Sequence, residues 1–318
     1  MIILFLQIYW AVSLLFFVFP KLIHRRKPSK LKKRILGAKT IVFSHRGGMF
    51  ENFENSLSAF KHSKELGLKG IETDVRKTKD NKYVLSHDHS LKRITGQDVN
   101  LSDINYADIH PYADRFYMDY GLFSDRKNIK KEKPILLEEL FKLIAGTDIV
   151  VNLDIKTDNE EDFHPVIEMA KQYGVLEQII IGCFAEYSAS KLRNKYGNEL
   201  NTFFSGQSNF LAYILFFTGL LPFIDLKYDF FESTIYMKSM LNSEMYDDKL
   251  AYYYVRVLDL IRPMIKLFNW HLKRRDIPIL YFCVNEEQDM DLIHDLGVNG
   301  VFTDVPTKMQ RYTQKKNY

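Results

Sequence analysis

Several short apolar runs in this chain end on side chains that can do chemistry. The run "TIVFSHRG" ends on His45 and Arg46, "GIETDV" carries Glu72 and Asp74, and "YVLSHD" ends on His87 and Asp88. "IVVNLDIK" delivers Asp154 and Lys156, and "PILYFCVN" delivers Asn285. One polar strand end is unremarkable, but a set of them facing one place must have partners or a task, because desolvating each costs free energy. Glu72 and Asp74 are two apart, so on a strand they share a face. With Asp154 they offer three hard oxygen donors, suited to Mg2+ or Ca2+ and poor for a thiophilic ion. The alternative, a solvated acidic pair, fits badly with the apolar run around it. An imidazole ordinarily titrates near neutrality, so of His45 and His87 one can take a proton from a nucleophile while the other gives one to a leaving oxygen. Arg46 and Lys156 add fixed positive charge for a phosphate, which arginine grips in bidentate fashion. A divalent cation, two histidines, an arginine and a lysine describe a phosphodiester-cleaving site.

Such residues need a scaffold that brings distant strand ends together. From residue 40 onward, strand-like runs alternate with helical patterns such as "NSLSAFKHSKELG", "LLEELFKLIA", "HPVIEMAKQYG" and "EEQDMDLIHDLG". In order the strands are "TIVFSHRG", "GIETDV", "YVLSHD", "IVVNLDIK", "QIIIGC", "TFFS", "PILYFCVN" and "GVFTDVP". Eight strands in this pattern predict an α/β fold, a (β/α)8 TIM barrel, whose chemistry lies at the C-terminal strand ends. Gly67, Gly174 and Gly297 stand where helix C-terminal caps are expected. Residues 89–134 and 206–277 are too long for plain crossovers and are expected to be insertions.

With 46% hydrophobic and 26% charged residues in 318, the chain can build a sizeable core, which excludes disordered and collagen-like classes. The net charge of +4 is concentrated near the N-terminus and gives no nucleic-acid footprint. Cys183 and Cys283 lie in apolar runs without metal or redox spacing and are expected as buried thiols of a reducing compartment.

Residues 1–20 hold no charge, and a helix over them would span about 30 Å, the hydrocarbon thickness of a bilayer. No positive segment precedes them and no small-residue cleavage site follows, so they predict a transmembrane anchor rather than a cleaved leader. The acid-free stretch "KLIHRRKPSKLKKR" then keeps the rest of the chain cytosolic and can meet anionic headgroups. The expected organisation is an anchor at 1–20, a basic juxtamembrane linker at 21–39 and a catalytic domain at 40–310. A buried N-terminal helix of a soluble fold is the alternative to the anchor. A second apolar stretch, residues 210–224, is short and broken by Thr218, Gly219 and Pro222. It is expected to dip into the membrane or bind an acyl chain, with a true span as the alternative and a core helix as the plainer third option.

The ordered motifs "HRGGMFENFENS", "ETD", "SHDHSLKRITG", "NLDIK" and "VNEE" resemble the glycerophosphodiester phosphodiesterase family over residues 40–307. Its membrane-bound lysophospholipase D branch is the nearer likeness, from the N-terminal segment, "LFFTGLLPF" and "GVFTDVPTK". The resemblance implies a TIM barrel, a divalent cofactor (Mg2+ or Ca2+), a lysophospholipid substrate and attachment to the endoplasmic reticulum or perinuclear membrane. No nucleic acid and no obligate protein partner are implied. Carried over by position, His45 and His87 are the acid/base pair, and Glu72, Asp74 and Asp154 the metal ligands. Arg46, Glu54, Asn55, Lys156 and Asn285 form the substrate-binding set, with Glu54 ordering either the mouth or the glycerol hydroxyls. Gly47 and Gly48 are expected to give the backbone room to approach substrate, and Glu51 and Asn52 to be surface. Departures from the family are Asp154 for a frequent glutamate, Asn81 for glycine, Ser56 for threonine and Phe282 for tryptophan. The alternatives are a phosphodiesterase for deacylated glycerophosphodiesters and a silent lipid-binding protein on the same barrel.

Overall fold

Short runs of β-branched and aromatic residues, each followed by an amphipathic segment, form strands and helices that wrap a barrel. The computed structural model describes residues 1–24, 27–117, 123–125, 132–157, 159–235, 237 and 249–318. The helices are α1 (Ile2–Val18), α2 (Lys30–Gly37), α3 (Leu57–Glu65), α4 (Lys92–Thr95), α5 (Leu137–Ile144) and α6 (Phe163–Gln172), then α7 (Glu186–Tyr196), α8 (Gly206–Phe217), α9 (Lys249–Leu260), α10 (Arg262–Arg274), α11 (Glu287–Asp295) and α12 (Pro306–Lys316). The strands are β1 (Ile41–Ser44), β2 (Gly70–Lys77), β3 (Tyr83–Leu85), β4 (Arg115–Tyr117), β5 (Phe123–Asp125) and β6 (Val150–Ile155), then β7 (Ile179–Gly182), β8 (Asn201–Thr202), β9 (Phe231–Ser233), β10 (Ile279–Tyr281) and β11 (Gly300–Thr303).

Eight of them run parallel in the order β8-β7-β6-β2-β1-β11-β10-β9. A parallel bridge between Phe203 and Phe230 joins the two ends of that path and curls it into a TIM-type barrel. One of the eight strands differs from the sequence expectation. "YVLSHD" is no barrel strand: β3 lies antiparallel on β2, with Val75 opposite Leu85. Only residues 78–82 join them, turning through Asn81 at φ 57, and a parallel crossover needs a dozen residues or more. The missing member is β9, whose three residues "FES" are too short and too polar to stand out in the sequence. Residues 206–277 are therefore no insertion, because they supply α8, β9, α9 and α10. Among the described residues of 89–134, α4 stands apart from the strands of the barrel, and β4 and β5 pair in a two-stranded sheet of their own.

Inside the barrel, Phe43, Val150, Ile180, Phe230, Leu280 and Phe302 are fully buried, and Leu31 and Ile35 of α2 pack onto them. Part of the stretch expected as a basic linker is thus the plug that closes the end where the strands begin. Lys32 is buried with it, 3.3 Å from Asp229, which Arg193 approaches to 3.5 Å.

The N-terminal stretch expected as an anchor forms α1. None of the described helices is long and apolar enough to cross a membrane. Helix α1 has 17 residues, about 26 Å, and Pro20 follows its last turn. It packs on the C-terminal ends of α8 and α10: Ser13 Oγ donates to Gly219 O at 2.6 Å, and Phe17 stacks on the His271 ring at 4.3 Å. Stretch 210–224 is mostly α8, an ordinary barrel helix that buries Ala212, Tyr213 and Phe216 and exposes Phe210, Leu211, Ile214 and Phe217.

Candidate active site

The first loop is built by backbone constraint. Arg46, Gly47 and Gly48 follow β1 in succession with φ of 50, 83 and 93. A Cβ on Gly48 would lie 2.5 Å from the Pro306 ring, and one on Gly47 2.6 Å from Ala59 Cβ. These glycines let the turn form and pack closely. The turn leaves His45 at the barrel mouth, while the Arg46 guanidinium is buried 3.5 Å from Glu54 and 3.7 Å from Asp74.

Each histidine of the expected pair is held by its own aspartate. His45 Nδ1 lies 2.6 Å from Asp304 Oδ1, and His87 Nδ1 lies 2.9 Å from Asp88 Oδ1. Nδ1 is taken in both rings, so Nε2 is the atom left for chemistry; that of His45 is 3.7 Å from Glu72 Oε2. Asp88 accepts from Arg93 Nε at 2.5 Å, and Arg93 donates to both Glu54 oxygens at 2.7 Å. Glu54 is therefore a buried internal brace joining the two histidine loops. Asn285 is likewise engaged: its amide donates to Asp304 Oδ2 at 2.7 Å, while its oxygen accepts from Thr303 Oγ1 and the Asp304 amide. It positions the aspartate behind His45. Asn55, at φ 53, accepts from Thr73 Oγ1 and closes the first loop through its amide to Arg46 O.

The expected metal ligands stand on the adjacent strands β2 and β6. Strand register sets Asp74 beside Asp154, with Glu72 one step deeper beside Asn152. Glu72 Oε2 accepts from the Arg46 amide at 2.9 Å. Burial, then the neighbouring Asp74 charge, pushes the Glu72 carboxyl up to about 7 despite His45 and Arg46. Burial would also raise Asp74, but Lys156, His87, Arg46 and His45 together hold it well below the carboxylate range. Lys156 Nζ sits 2.6 Å from Asp154 and 3.1 Å from Asp74. Asp74 Oδ2 and Asp154 Oδ1 are buried without a hydrogen-bond donor. Two orphaned carboxylate oxygens beside a third carboxylate fit a hard divalent ion, which would satisfy them.

Sequence reasoning missed Asp304, Arg93 and Glu232. Asp304 follows β11 as the other polar residues follow their strands, so the strand-end rule extended to "GVFTDVP" would have found it. Glu232 lies on the overlooked β9, takes a hydrogen bond from the Asn152 amide and is pushed well up by burial. Glu51, expected at the surface, clamps the start of α12 through Thr307 N at 3.0 Å and Thr307 Oγ1 at 2.7 Å. Beside the carboxylates, a groove of about 350 Å³ is lined by Arg76, Asp154, Lys156, Cys183 and Phe184.

Residues 45–308 match the family model described as glycerophosphoryl diester phosphodiesterase family. The chain is 34% identical to the human lysophospholipase D GDPD1 over 96% of its length and 93% of the relative. It is 28% identical to the mouse lysophospholipase D GDPD3, covering 97% of this chain and 90% of that one. Among solved structures, a putative glycerophosphoryl diester phosphodiesterase from Silicibacter pomeroyi shares the fold at a TM-score of 0.63 and 17% identity, over 88% of this chain and 95% of that one. A phosphodiesterase from Oleispira antarctica, in complex with the product sn-glycerol-3-phosphate, does so at 0.58 and 16%, over 87% and 97%.

Proposed function

The chain belongs to the glycerophosphoryl diester phosphodiesterase family, and from that premise we propose that this phosphodiester hydrolase is a metal-dependent lysophospholipase D. It converts lysophosphatidylcholine or N-acyl lysophosphatidylethanolamine to lysophosphatidic acid plus the headgroup alcohol or N-acylethanolamine. The supporting observation is the pair of aspartate-held histidines beside three carboxylates, two of which carry an orphaned oxygen. Glu72, Asp74 and Asp154 would hold Mg2+ or Ca2+, which when bound offsets the charge on the phosphate oxygens. Lys156 adds fixed positive charge beside it, and Arg46 holds the carboxylates together from behind. One histidine takes the proton from the glycerol hydroxyl next to the phosphate. That oxygen attacks phosphorus in line, the bond to the headgroup oxygen breaks, and the other histidine protonates the leaving group. Water then opens the cyclic phosphate with the two roles exchanged.

The acyl chain leaves the mouth over Phe184, 72% exposed and packed on Gly206, toward Phe210 and Leu211 at the start of α8. Two features support membrane contact along this flank, the exposed apolar faces of α1 and α8 and an apolar cavity of about 670 Å³ between α1, α8 and α10 framed by Trp10 and Trp270. Helix α1 meets the barrel at the strand-start end, so the flank, not the mouth rim, faces lipid. We place the protein on the cytosolic side of the endoplasmic reticulum or perinuclear membrane, which fractionation of tagged protein tests.

Choline release from lysophosphatidylcholine, glycerophosphocholine and diacyl phosphatidylcholine tests the reading. The lysolipid should be turned over and the diacyl lipid, lacking a free neighbouring hydroxyl, should not; equal rates on both would overturn it. Faster release from glycerophosphocholine would favour the second reading, hydrolysis of deacylated glycerophosphodiesters to glycerol 3-phosphate. The intact histidines and carboxylates oppose a silent lipid-binding role.

A further inference from the structure

Next to the hard carboxylate set, the mouth carries donors of a different chemistry. His45 follows β1, Asp304 follows β11 and Cys283 lies two residues past β10, so three adjacent strands deliver an imidazole, a carboxylate and a thiol to one place. His45 Nδ1 is 2.6 Å from Asp304 Oδ1 and 3.7 Å from Cys283 Sγ. One ligand atom from each residue lies within 4.8 Å of the other two, and Cys283 is in no disulfide. A tetrahedral zinc ion holds nitrogen at about 2.0 Å and sulfur at about 2.3 Å, which sets them about 3.5 Å apart. The observed nitrogen to sulfur separation is close to that, and the His45–Asp304 contact would have to widen. Sulfur and nitrogen beside one oxygen is the donor mix of a thiophilic ion, which the three carboxylates alone would hold poorly.

We propose that His45, Cys283 and Asp304 form a second metal site that takes Zn2+ or a similar thiophilic ion and switches the hydrolase off. On binding, the thiol proton leaves to solvent and the neutral ring's single proton moves through solvent from Nδ1 to Nε2; sulfur and Nδ1 each donate an electron pair to the ion, and Asp304 becomes a ligand. The ring's one proton is then on Nε2, where a metal-bound imidazole does not release it near neutrality, so His45 can no longer cycle a proton. The inhibitory half rests on the hydrolase reading above; the binding half rests on the donors alone.

Co2+ added to the full-length protein in excess Mg2+ reads the site without turnover, through the near-ultraviolet thiolate-to-cobalt absorption. The band is expected in wild type and Cys183→Ala and is expected to be lost in both Cys283→Ala and Cys283→Ser. No band in wild type, or a band surviving in a folded Cys283 variant, overturns the site. In parallel, Zn2+ in excess Mg2+ should lower headgroup release at least tenfold in wild type and less than twofold in the Cys283 variants, each against its own rate without zinc. Equal inhibition in both would place zinc on the carboxylates and overturn the switch. A wild type that binds Co2+ through sulfur yet hydrolyses no lysolipid would refute the proposed function and leave the site standing.

Discussion

At the scale of single residues, the site rests on two imidazoles, each fixed by a carboxylate at Nδ1 so that Nε2 faces the chemistry. His45→Ala should lower kcat by about 10²- to 10⁴-fold, the usual worth of a positioned acid or base, with KM changed much less. Asp304→Asn should cost a large part of that loss while leaving the fold intact, as steady-state kinetics with a thermal melt can show. Gly48→Ala should destabilise by about 2 kcal/mol or more in urea titrations, because the added methyl meets the Pro306 ring at a positive φ. Histidines, acids and the lysine were legible in the sequence because each ends or follows an apolar run. Asn285 and Glu54 were legible as site residues but not by role: only coordinates show Asn285 bound to Asp304 and Glu54 bound to Arg93.

At the scale of elements, α2 plugs the barrel and α1 rests on α8 and α10. Lys32→Met should leave Asp229 buried with one cation fewer and cost about 3 kcal/mol of unfolding free energy. The α1 contact carries a pH dependence. Burial, chiefly, holds His271 down at about 4 from an ordinary 6.5, with Arg275, His24 and Arg274 adding to it against the Phe17 carbonyl bond. The folded state therefore keeps this ring neutral while the unfolded chain binds a proton below 6.5. Stability should be undiminished above that value and fall as the pH drops from about 6.5 toward 4, by about 2 kcal/mol at pH 5. Urea midpoints at pH 7.5 and 5.0 should differ less in His271→Leu than in wild type; an unchanged difference would contradict this role. Element order was mostly legible, since helix periodicity and strand runs are local. Two things were not: β3 has barrel-like composition but too short a link to cross over, and β9 is three residues held by its neighbours.

At the scale of the whole molecule, the mouth and the N-terminal helix sit toward opposite ends of the barrel, joined by the exposed apolar face of α8. Replacing Phe210, Leu211, Ile214 and Phe217 together by serine should weaken binding to phospholipid vesicles and raise KM for lysophosphatidylcholine several-fold. It should leave turnover of glycerophosphocholine within about twofold, because the buried side of α8 is untouched. The apolar character of residues 1–20 and 210–224 was plain in the sequence. Their arrangement was not, because an apolar helix packed on α8 and α10 and a barrel helix with an apolar outer face look alike in composition. The central claim, hydrolysis at the two histidines beside a cation-holding carboxylate set, meets its most direct test in choline release from lysophosphatidylcholine with Mg2+ or Ca2+ and with excess EDTA, in wild type and Glu72→Ala. Release is expected in wild type with the cation, should be abolished by EDTA and restored by the cation, and should not be rescued in Glu72→Ala by added Mg2+ or Ca2+. Undiminished release in EDTA, or a Glu72→Ala rate equal to wild type, would contradict it.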